Sequence, residues 1–430
     1  MLNKRFCRTI HRVAIHRVAI VMSLLTVIAA LPANAQYTGT VLHTFTASPD
    51  GAFPGPIIRD AQGNLYGTSY SGGLASCGYG TCGTIFKIDP AGNETLVFDF
   101  PGGSDGDNPI ATVTEDAAGN FYGTTEGDGY FGLSVIYEVN ASGQETVLVP
   151  NAQTGGALDS PLLLGADGNI YGMTPYGGDY SCGYDNSGCG MLFEITPSGE
   201  FTMLHAFAGS DGIRPEGGLV QDSKGNLYGA AFAGGNENCE TIGFQYPYDP
   251  NNNETGCGTI YEVAANGTFT VLHTFTGKTD GSGPLGLIID SEGNLYGIAQ
   301  NGGNHQGNGT IYGLGTIFKL ATTTGAFSVP FTFTPQIYQD SRYASHLVRD
   351  SEGNLYGAQQ FGGANNTGCL FRINRSGKYS DLYDFDMQIQ GRNQDGFWAV
   401  GVALGSQGDF YTSMIYGGSA GFGTVFHITP

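Results

Sequence analysis

A five-residue phrase, Gly-Asn-Leu-Tyr-Gly, recurs along the chain and limits its possible folds more than any other feature. The seven copies, counting near matches, begin at Gly63, Gly119, Gly168, Gly225, Gly293, Gly353 and Gly408. Successive copies are 56, 49, 57, 68, 60 and 55 residues apart. Units of this size cannot bury their apolar faces alone and must pack on one another. The 430-residue chain is therefore expected to be a repeat array rather than a set of unrelated domains.

Each unit predicts four short strands separated by Gly-rich turns. In the fullest copy, strand a is Pro284–Asp290 and strand b is Asn294–Gln300. Strand c is Gly315–Leu320, and strand d is Phe327–Phe333. Four strands in a unit of about 50 residues are typical of a β-propeller blade.

The two ends of the chain indicate how the array closes. The last unit stops after its strand c, at Ile428, and has no strand d. An isolated strand d, Thr40–Phe45, begins the chain and closely copies Thr270–Phe275. Pairing the first strand with the last unit would leave no open sheet edge. The sequence therefore predicts an all-β, seven-bladed propeller of four-stranded blades, in which the N-terminal strand completes the last blade.

The first 35 residues have the pattern of a secretory signal. A basic head that includes Lys4 and Arg5 precedes the apolar run Val18–Leu31, and Ala33–Ala35 is a small-x-small cleavage site. We predict a signal peptide over 1–35 and a single propeller domain over 36–430. The alternative is an uncleaved anchor, for which the apolar run is short. No second apolar span follows it, and no sorting tail precedes Pro430.

Charge excludes some classes of partner. Without the five basic residues of the leader, 12 Lys and Arg remain against 38 Asp and Glu, a formal net charge of −26. Such a chain repels nucleic acid and anionic membranes, although acidity also serves solubility alone. We expect a secreted monomer, either extracellular or periplasmic, with no membrane span after the signal is removed.

The cysteines predict disulfides in the loops between strands b and c. Cys7 lies in the leader, and six of the remaining seven cysteines pair by locality. The predicted bonds are Cys77–Cys82, Cys182–Cys189 and Cys239–Cys257. In an exported chain this pattern favours disulfides over metal ligands. Cys369 stands inside a strand where other copies have Thr, and we expect a buried free thiol.

Two residue types recur around the phrase, and both are interpreted as structural. An Asp lies three residues before the first glycine in five copies and is expected to cap the turn, which is too short for an EF-hand loop. A Tyr recurs in all seven copies and is expected to pack between blades. The aspartates are Asp60, Asp116, Asp222, Asp290 and Asp350. The tyrosines are Tyr66, Tyr122, Tyr171, Tyr228, Tyr296, Tyr356 and Tyr411.

Three histidines, His43, His205 and His273, occupy equivalent positions in strand d of three units. Other copies place aromatic residues there, which indicates a packing position. Ring symmetry would also hold the three imidazoles too far apart to converge on one zinc ion. We therefore predict no metal site here.

The variable loops, b–c and d–a, would emerge on one face of a propeller. The d–a loops carry an Asp, usually as Asp-Gly, at Asp50, Asp105, Asp211, Asp280, Asp340 and Asp395. These carboxylates are expected to cap turns; the alternative is a ring at the channel mouth that binds a cation, such as Ca²⁺, or a polyhydroxylated ligand. The candidate ligand contacts are Asp105, Asp211, Asp280, Tyr180, Tyr184, Asp185, Tyr246 and Tyr248. No other cofactor is predicted.

The unit from Asp290 to Leu320, D-x-x-G-N-L-Y-G followed by G-T-I-F-K-L, resembles the GloVer tandem repeat. The resemblance covers essentially the whole chain after the leader. It implies an exported bacterial protein of a family with varied C-terminal anchors, and we expect this chain to depart from the family by lacking an anchor after Pro430. The resemblance implies no catalytic residues.

Three functions are compatible with these observations. The first is binding of a glycan or cell-envelope partner by the loop face of a rigid ring. The second is a lactonase-like or lyase-like propeller enzyme with a metal or paired carboxylates at the channel, although the sequence shows no catalytic motif. The third is a purely structural envelope component.

Overall fold

Seven antiparallel sheets follow one another along the chain, and together they form a seven-bladed β-propeller, as the repeat predicted. This computed structural model describes residues 37–77, 80–126, 134–150, 158–182, 187–236, 239, 256–303, 314–334, 346–361, 363, 367–385 and 395–430. All of them lie in one compact unit, Gln36–Pro430. Among them, no helix is long and apolar enough to cross a membrane.

Each of the first six blades has strands a to d in chain order. Blade 1 has Ala52–Arg59, Leu65–Ser71, Thr84–Ile88 and Glu94–Asp99; blade 2 has Thr114–Glu115, Phe121–Thr124, Val135–Val139 and Glu145–Pro150; blade 3 has Leu163–Leu164, Ile170–Thr174, Met191–Ile195 and Phe201–Ala206. Blade 4 has Ile213–Gln221, Leu227–Ala233, Thr259–Val263 and Phe269–Thr274; blade 5 has Ser282–Ile289, Asn294–Asn301, Thr316–Ala321 and Ala326–Thr332; blade 6 has Val348–Arg349, Leu355–Gln359, Cys369–Ile373 and Tyr379–Asp384. A short hairpin, Ser76–Cys77 with Gly80–Thr81, and a 3₁₀ turn, Gly103–Asp105, lie outside the blades.

Blade 7 joins the two ends of the chain. Its strand a is split into Phe397–Ala399 and Ala403–Leu404, both paired with strand b, Phe410–Tyr416. Strand c, Thr424–Thr429, pairs on its other side with the N-terminal strand Thr38–Thr44. Thr38 lies opposite Thr429, so the predicted closure by the N-terminal strand is confirmed.

The second glycine of the phrase makes room for an aromatic ring of strand c. A Cβ placed on Gly67 would lie 2.7 Å from Cζ of Phe86, and one on Gly297 would lie 2.4 Å from Cζ of Phe318. Both rings are fully buried. A methyl group at either glycine would therefore displace a core ring, which explains why the phrase ends in glycine.

The glycine directly before strand c, which is not part of the phrase, packs against a proline of the next blade. A Cβ on Gly258 of blade 4 would lie 2.4 Å from Cδ of Pro284 in blade 5. A Cβ on Gly423 of blade 7 would lie at the same distance from Cδ of Pro54 in blade 1. The junction that closes the ring thus has the same packing as an internal junction.

Candidate functional site

The d–a and b–c connections lie on one face, and strand a of each blade is innermost. Inner strands of neighbouring blades contact one another: a Cβ on Gly217 would lie 2.3 Å from the nitrogen of Gly286, and one on Gly401 would lie 3.1 Å from Cβ of Pro56. The described residues that lead from the d–a loops into the a strands therefore surround the channel where it opens on the loop face. We call this opening the channel mouth.

One backbone position at the channel mouth has the same left-handed conformation in five blades. It is the third residue after the Asp of the d–a loop, and we call it the bridge position. Its residues and φ angles are Phe53 (57°), Asn108 (56°), Arg214 (55°), Gly283 (63°) and Trp398 (65°). Glycine adopts this conformation with least strain, yet four of the five blades place a larger side chain there.

The backbone explains why the conformation is needed. The N–H of the bridge residue donates to the carbonyl oxygen of the residue two before strand c of the preceding blade. These bonds join Phe53 to Phe422 (2.8 Å), Asn108 to Cys82 (2.8 Å), Arg214 to Cys189 (3.0 Å) and Gly283 to Cys257 (3.0 Å). The conformation is therefore a requirement of blade packing, whereas the large side chains are not.

The side chains of blades 3 and 4 make a polar group at the channel mouth. Nε of Arg214 donates to Oε1 of Glu216 at 2.9 Å, and Nη2 contacts the same oxygen at 2.5 Å. The guanidinium carbon lies 5.1 Å from the centre of the Phe232 ring. Desolvation, together with the Glu216 carboxylate, raises the pKa of Asp159 to about 7, against the opposing effect of Arg214. Asp159 is nevertheless exposed.

Blades 1 and 2 extend this polar group. Tyr70 lies near the end of strand b of blade 1, close to the carboxylate of Glu126, which follows strand b of blade 2. Burial and the Glu126 carboxylate raise the pKa of Tyr70 to about 12. The side-chain amide of Asn108 donates to the carbonyl oxygen of Tyr70 at 2.8 Å, next to the buried Asp107. Carboxyl, hydroxyl and amide groups thus line this half of the channel mouth.

Aromatic side chains line the other half, in blades 6, 7 and 1. The ring centres of Phe53 and Tyr416 are 5.3 Å apart, and those of Trp398 and Tyr416 are 5.4 Å apart. Phe397 stacks on Tyr416 at 5.1 Å, and Phe361 lies 6.0 Å from Trp398. All these rings are half-buried. We call Phe53, Phe361, Phe397, Trp398, Tyr416 and Phe422 the aromatic band.

His346, which lies just before strand a of blade 6, reaches across the inner strand of blade 5. Its Nε2 lies 3.1 Å from the carbonyl oxygen of Gly217 in blade 4. A Cβ on Gly286 would lie 2.2 Å from Cδ2 of His346, so the missing side chain of Gly286 makes space for the imidazole. Desolvation by the surrounding strands lowers the pKa of His346, although the residue is exposed.

The d–a aspartates that the sequence singled out mostly serve their own loops. Asp211 accepts from His205 at 2.9 Å and from the Ala208 N–H at 2.8 Å. Asp280 accepts from the N–H of Thr276 at 2.9 Å. Asp105 is exposed and accepts from Ser104. These contacts are those of turn-capping carboxylates.

The predicted loop contacts are only partly described. Tyr180 lies in the b–c loop of blade 3 and is 53% exposed, which makes it available on the loop face. The other candidates, Tyr184, Asp185, Tyr246, Tyr248 and Asp340, lie outside the described residues.

The strand d histidines pack as rings beside the loop aspartates. His205 stacks on Phe269 of the next blade at 3.6 Å, and His273 stacks on Phe327 at 3.8 Å. Within the part of the chain that the structure describes, no group of three or more His, Cys, Asp or Glu could hold a metal ion.

The predicted disulfides are present as Cys77–Cys82, Cys182–Cys189 and Cys239–Cys257. Each joins two ends of a b–c loop beside the bridge position of the next blade. As expected, Cys369 is buried and forms no disulfide among the described residues, and its Sγ lies 3.5 Å from Oδ1 of Asp381. Three disulfides are typical of a protein in an oxidising compartment, extracellular or periplasmic.

The repeated Asp and Tyr hold the turn between strands a and b. Asp290 accepts from the N–H of Asn294 at 2.9 Å and from the hydroxyl of Tyr296 at 3.1 Å. Burial alone would raise the pKa of Asp290, but these bonds hold it below its usual value. Equivalent Asp–Tyr bonds join Asp60 to Tyr66, Asp116 to Tyr122, Asp222 to Tyr228 and Asp350 to Tyr356.

Copies three and seven have glycine in place of that Asp and use another carboxylate. In copy three, the hydroxyl of Tyr171 donates to Asp167 at 2.6 Å. In copy seven, Asp409 folds under Gly405, where a Cβ would lie 2.0 Å from its Oδ1. Asp409 also lies 2.9 Å from Nε2 of His427. In these two copies the carboxylate comes from a later position in the turn than in the other five, and the glycine at the usual Asp position leaves space for it.

Comparison with solved structures gives the same fold at low sequence identity. An oligogalacturonate lyase from Vibrio parahaemolyticus matches with a TM-score of 0.57 and 11% identity, over 92% of this chain and 94% of that one. PorZ, an essential bacterial surface component of the type-IX secretion system of Porphyromonas gingivalis, matches with a TM-score of 0.53 and 15% identity, over 90% of this chain and 48% of that one. These likenesses show the fold alone.

Sequence comparison is more specific. Among curated proteins, none matches this chain. The model of the Gloeobacter/Verrucomicrobia repeat matches residues 26–244 and 308–430, which is most of the sequence. The chain therefore belongs to the Gloeobacter/Verrucomicrobia repeat family.

Proposed function

We propose that this chain is an exported binding protein whose channel mouth recognises a glycan of the cell envelope or its surroundings. The observation that carries the proposal is the bridge position. Its conformation costs about 1 kcal/mol or more for residues such as Phe, Arg and Trp, and less for Gly and Asn. Phe53, Asn108, Arg214 and Trp398 occupy it nevertheless, and all four lie around one opening. Strained, chemically varied side chains that converge on one opening favour ligand binding over packing alone.

The chemistry of the two halves favours a sugar. A pyranose ring has apolar C–H faces and a rim of hydroxyl groups. The faces of Phe53, Tyr416 and Trp398 offer apolar, electron-rich surface for the C–H faces of the sugar. The carboxyl groups of Asp159 and Glu216 can accept hydrogen bonds from its hydroxyl groups. An opening with both halves therefore suits a polyhydroxylated ligand better than an anion or a purely apolar one.

The loop face extends the site outward. Tyr180 is exposed on it, and disulfides hold the b–c loops of blades 1, 3 and 4. Loops that are fixed in this way lose less entropy when they bind a ligand. We propose that these loops contact further sugar units, and that the ring acts as a monomer.

A glycan array with the purified chain, followed by calorimetry on the hits, tests the proposal. Phe53→Gly removes one ring of the aromatic band and relieves the backbone strain, so we expect a folded protein that binds about tenfold more weakly, a loss of about 1.4 kcal/mol. Phe201→Ala is the control, because it removes a half-buried ring from the outer strand of blade 3. An array without hits would favour the purely structural role. Equal affinities of the Phe53→Gly and Phe201→Ala variants would show that the ligand does not bind at the channel mouth.

A further inference from the structure

We propose that the three disulfides position the channel mouth, because each one fixes the d–a loop that leads into the bridge residue of the next blade. The bridge residues concerned are those of blades 2, 4 and 5, which include both polar ones, Asn108 and Arg214. The inference goes beyond the proposed function, because it concerns the backbone of the chain without a ligand. Its last readout, ligand affinity, rests on the proposed function.

The second cysteine of each pair provides the backbone acceptor for a bridge residue. Because the carbonyl oxygen that accepts and the sulfur that closes the disulfide belong to the same residue, the covalent bond limits the motion of the acceptor. The equivalent bond that closes the ring, from Phe53 to Phe422, involves no cysteine. The three bonds run from Asn108 to Cys82, from Arg214 to Cys189 and from Gly283 to Cys257, at 2.8, 3.0 and 3.0 Å.

Each disulfide also packs against a glycine near the start of the same d–a loop. A Cβ on Gly102 would lie 2.3 Å from Sγ of Cys77, and one on Gly277 would lie 2.6 Å from Sγ of Cys257. In blade 3 the looser equivalent is Gly209, at 3.7 Å from Sγ of Cys182. A disulfide therefore contacts the loop near its start and also holds the acceptor for the bridge residue at its end.

The spacing of the cysteines favours a local role over stabilisation of the whole fold. Cys77 and Cys82 are separated by 5 residues, and Cys182 and Cys189 by 7. A disulfide that closes so short a loop removes little entropy from the unfolded chain, because this entropy grows with loop length. The main effect of these two bonds is therefore expected in the folded state, at the junction where they are packed.

Blade 4 shows what a fixed bridge residue controls. The backbone of Arg214 bonds Cys189, and its Nε donates to Oε1 of Glu216 at 2.9 Å. The guanidinium carbon lies 5.1 Å from the centre of the Phe232 ring. A shift of the Arg214 backbone would therefore move the guanidinium and the carboxylate that it orients. The polar groups of blade 4 thus depend on a disulfide of blade 3.

The aromatic band provides an internal comparison. Phe53 and Trp398 also occupy bridge positions, but the blades before them, blades 7 and 6, have no cysteine in their b–c loops. Loss of a disulfide should therefore loosen the polar half of the channel mouth and leave these two aromatic residues in place.

Hydrogen exchange of the chain without ligand, resolved to single amides by fragmentation mass spectrometry, tests the inference. The double variant Cys182→Ala with Cys189→Ala keeps the carbonyl acceptor but loses the covalent bond. We expect the N–H of Arg214 to exchange at least about tenfold faster in this variant, and the N–H groups of Asn108 and Phe53 to keep their rates.

A second double variant, Cys77→Ala with Cys82→Ala, should give the reverse pattern, with faster exchange at Asn108 and an unchanged rate at Arg214. Cys369→Ala is the matched control. It removes a sulfur that is as buried as that of Cys189 but forms no disulfide among the described residues, so all these amides should keep their rates.

Two results would overturn the inference. An unchanged rate at Arg214 in Cys182→Ala with Cys189→Ala would show that the loop is held without the disulfide. Equal acceleration at Arg214 and Phe53 would show that the disulfide stabilises the whole ring rather than one junction.

Calorimetry with a saccharide identified on the glycan array adds the functional readout. We expect Cys182→Ala with Cys189→Ala to bind it about tenfold more weakly, and Cys369→Ala to bind it as the unmodified chain does. Equal affinity of the double variant and the unmodified chain would overturn the positioning of the site. An array without hits would overturn the proposed function alone, because the exchange experiment needs no ligand.

Discussion

The N–H of Phe53, in the first blade, donates to the carbonyl oxygen of Phe422, in the last blade, at 2.8 Å. The same bond joins Asn108 to Cys82 and Arg214 to Cys189 at internal junctions. The junction between the last blade and the first blade therefore has the same backbone hydrogen bond as the described internal junctions. Ring closure and the side chains at the channel mouth depend on the same backbone position.

A designed disulfide tests the closure. Thr38 and Thr429 are paired across strands d and c of blade 7, with their hydroxyl oxygens 2.9 Å apart. We expect Thr38→Cys with Thr429→Cys to form an intramolecular disulfide, which mass spectrometry of a proteolytic digest would identify. Thr38→Cys with Thr424→Cys is the control, because Thr424 pairs with Thr44 instead. Equal cross-linking of both pairs would contradict the register.

The left-handed bridge position predicts an unusual order of stability. Phe53→Gly and Phe53→Ala both remove the ring, but only glycine adopts a φ of 57° without strain. We expect the glycine variant to be more stable than the alanine variant by about 1 kcal/mol, measured by urea unfolding. In an ordinary strand the order would be reversed.

The glycine before strand c should be among the least replaceable residues. In Gly258→Ala, the new methyl group would meet Pro284, and φ is 94°. We expect a loss of about 3 kcal/mol in the free energy of unfolding. Gly267→Ala in the same blade is the control: φ is 83°, but nothing lies within 4 Å, so about 1 kcal/mol is expected. Similar losses for both variants would rule out the proposed contact between blades.

Half-buried carboxyl groups in strand d of blades 1 and 2 predict a dependence of stability on pH. Burial, with the Asp50 carboxylate nearby, raises the pKa of Glu94 to about 7 from 4.5. The folded state therefore keeps a proton that the unfolded state loses, and stability falls as pH rises from about 4.5 to 7. Burial and Asp105 act in the same way on Glu145.

Substitution by glutamine should remove this dependence. Relative to the unmodified chain, Glu94→Gln should be more stable at pH 8 than at pH 5, by thermal unfolding at the two values. Glu200→Gln, on an exposed turn, should show no such difference. If the relative stability of Glu94→Gln were the same at both pH values, the pKa of Glu94 would not be raised in the folded state.

Much of the architecture could be predicted because it follows from the order of the strands along the sequence. The missing strand d after Ile428 and the surplus strand at Thr40 imply closure without any knowledge of packing. The reason for the second glycine of the phrase could not be predicted in the same way. It depends on the Phe86 ring, which reaches Gly67 only once strands b and c are paired.

The channel mouth was harder to predict for a related reason. The aspartates of the d–a loops stood out because they repeat, whereas the bridge residues vary from Phe53 to Arg214 and share only a backbone angle. A signal was present in Gly283, which occupies the same position in blade 5 and indicates a left-handed conformation.

Trp398 allows the most direct test of the binding function, because it is the only tryptophan in the chain and lies in the aromatic band. Its fluorescence should change in intensity or wavelength as a bound saccharide covers the ring. The measurement is a titration of Trp398 emission with a saccharide whose binding calorimetry has established. A saturable change with the calorimetric dissociation constant is the predicted result. Binding by calorimetry with no change in Trp398 emission would place the ligand elsewhere and contradict the assignment of the channel mouth.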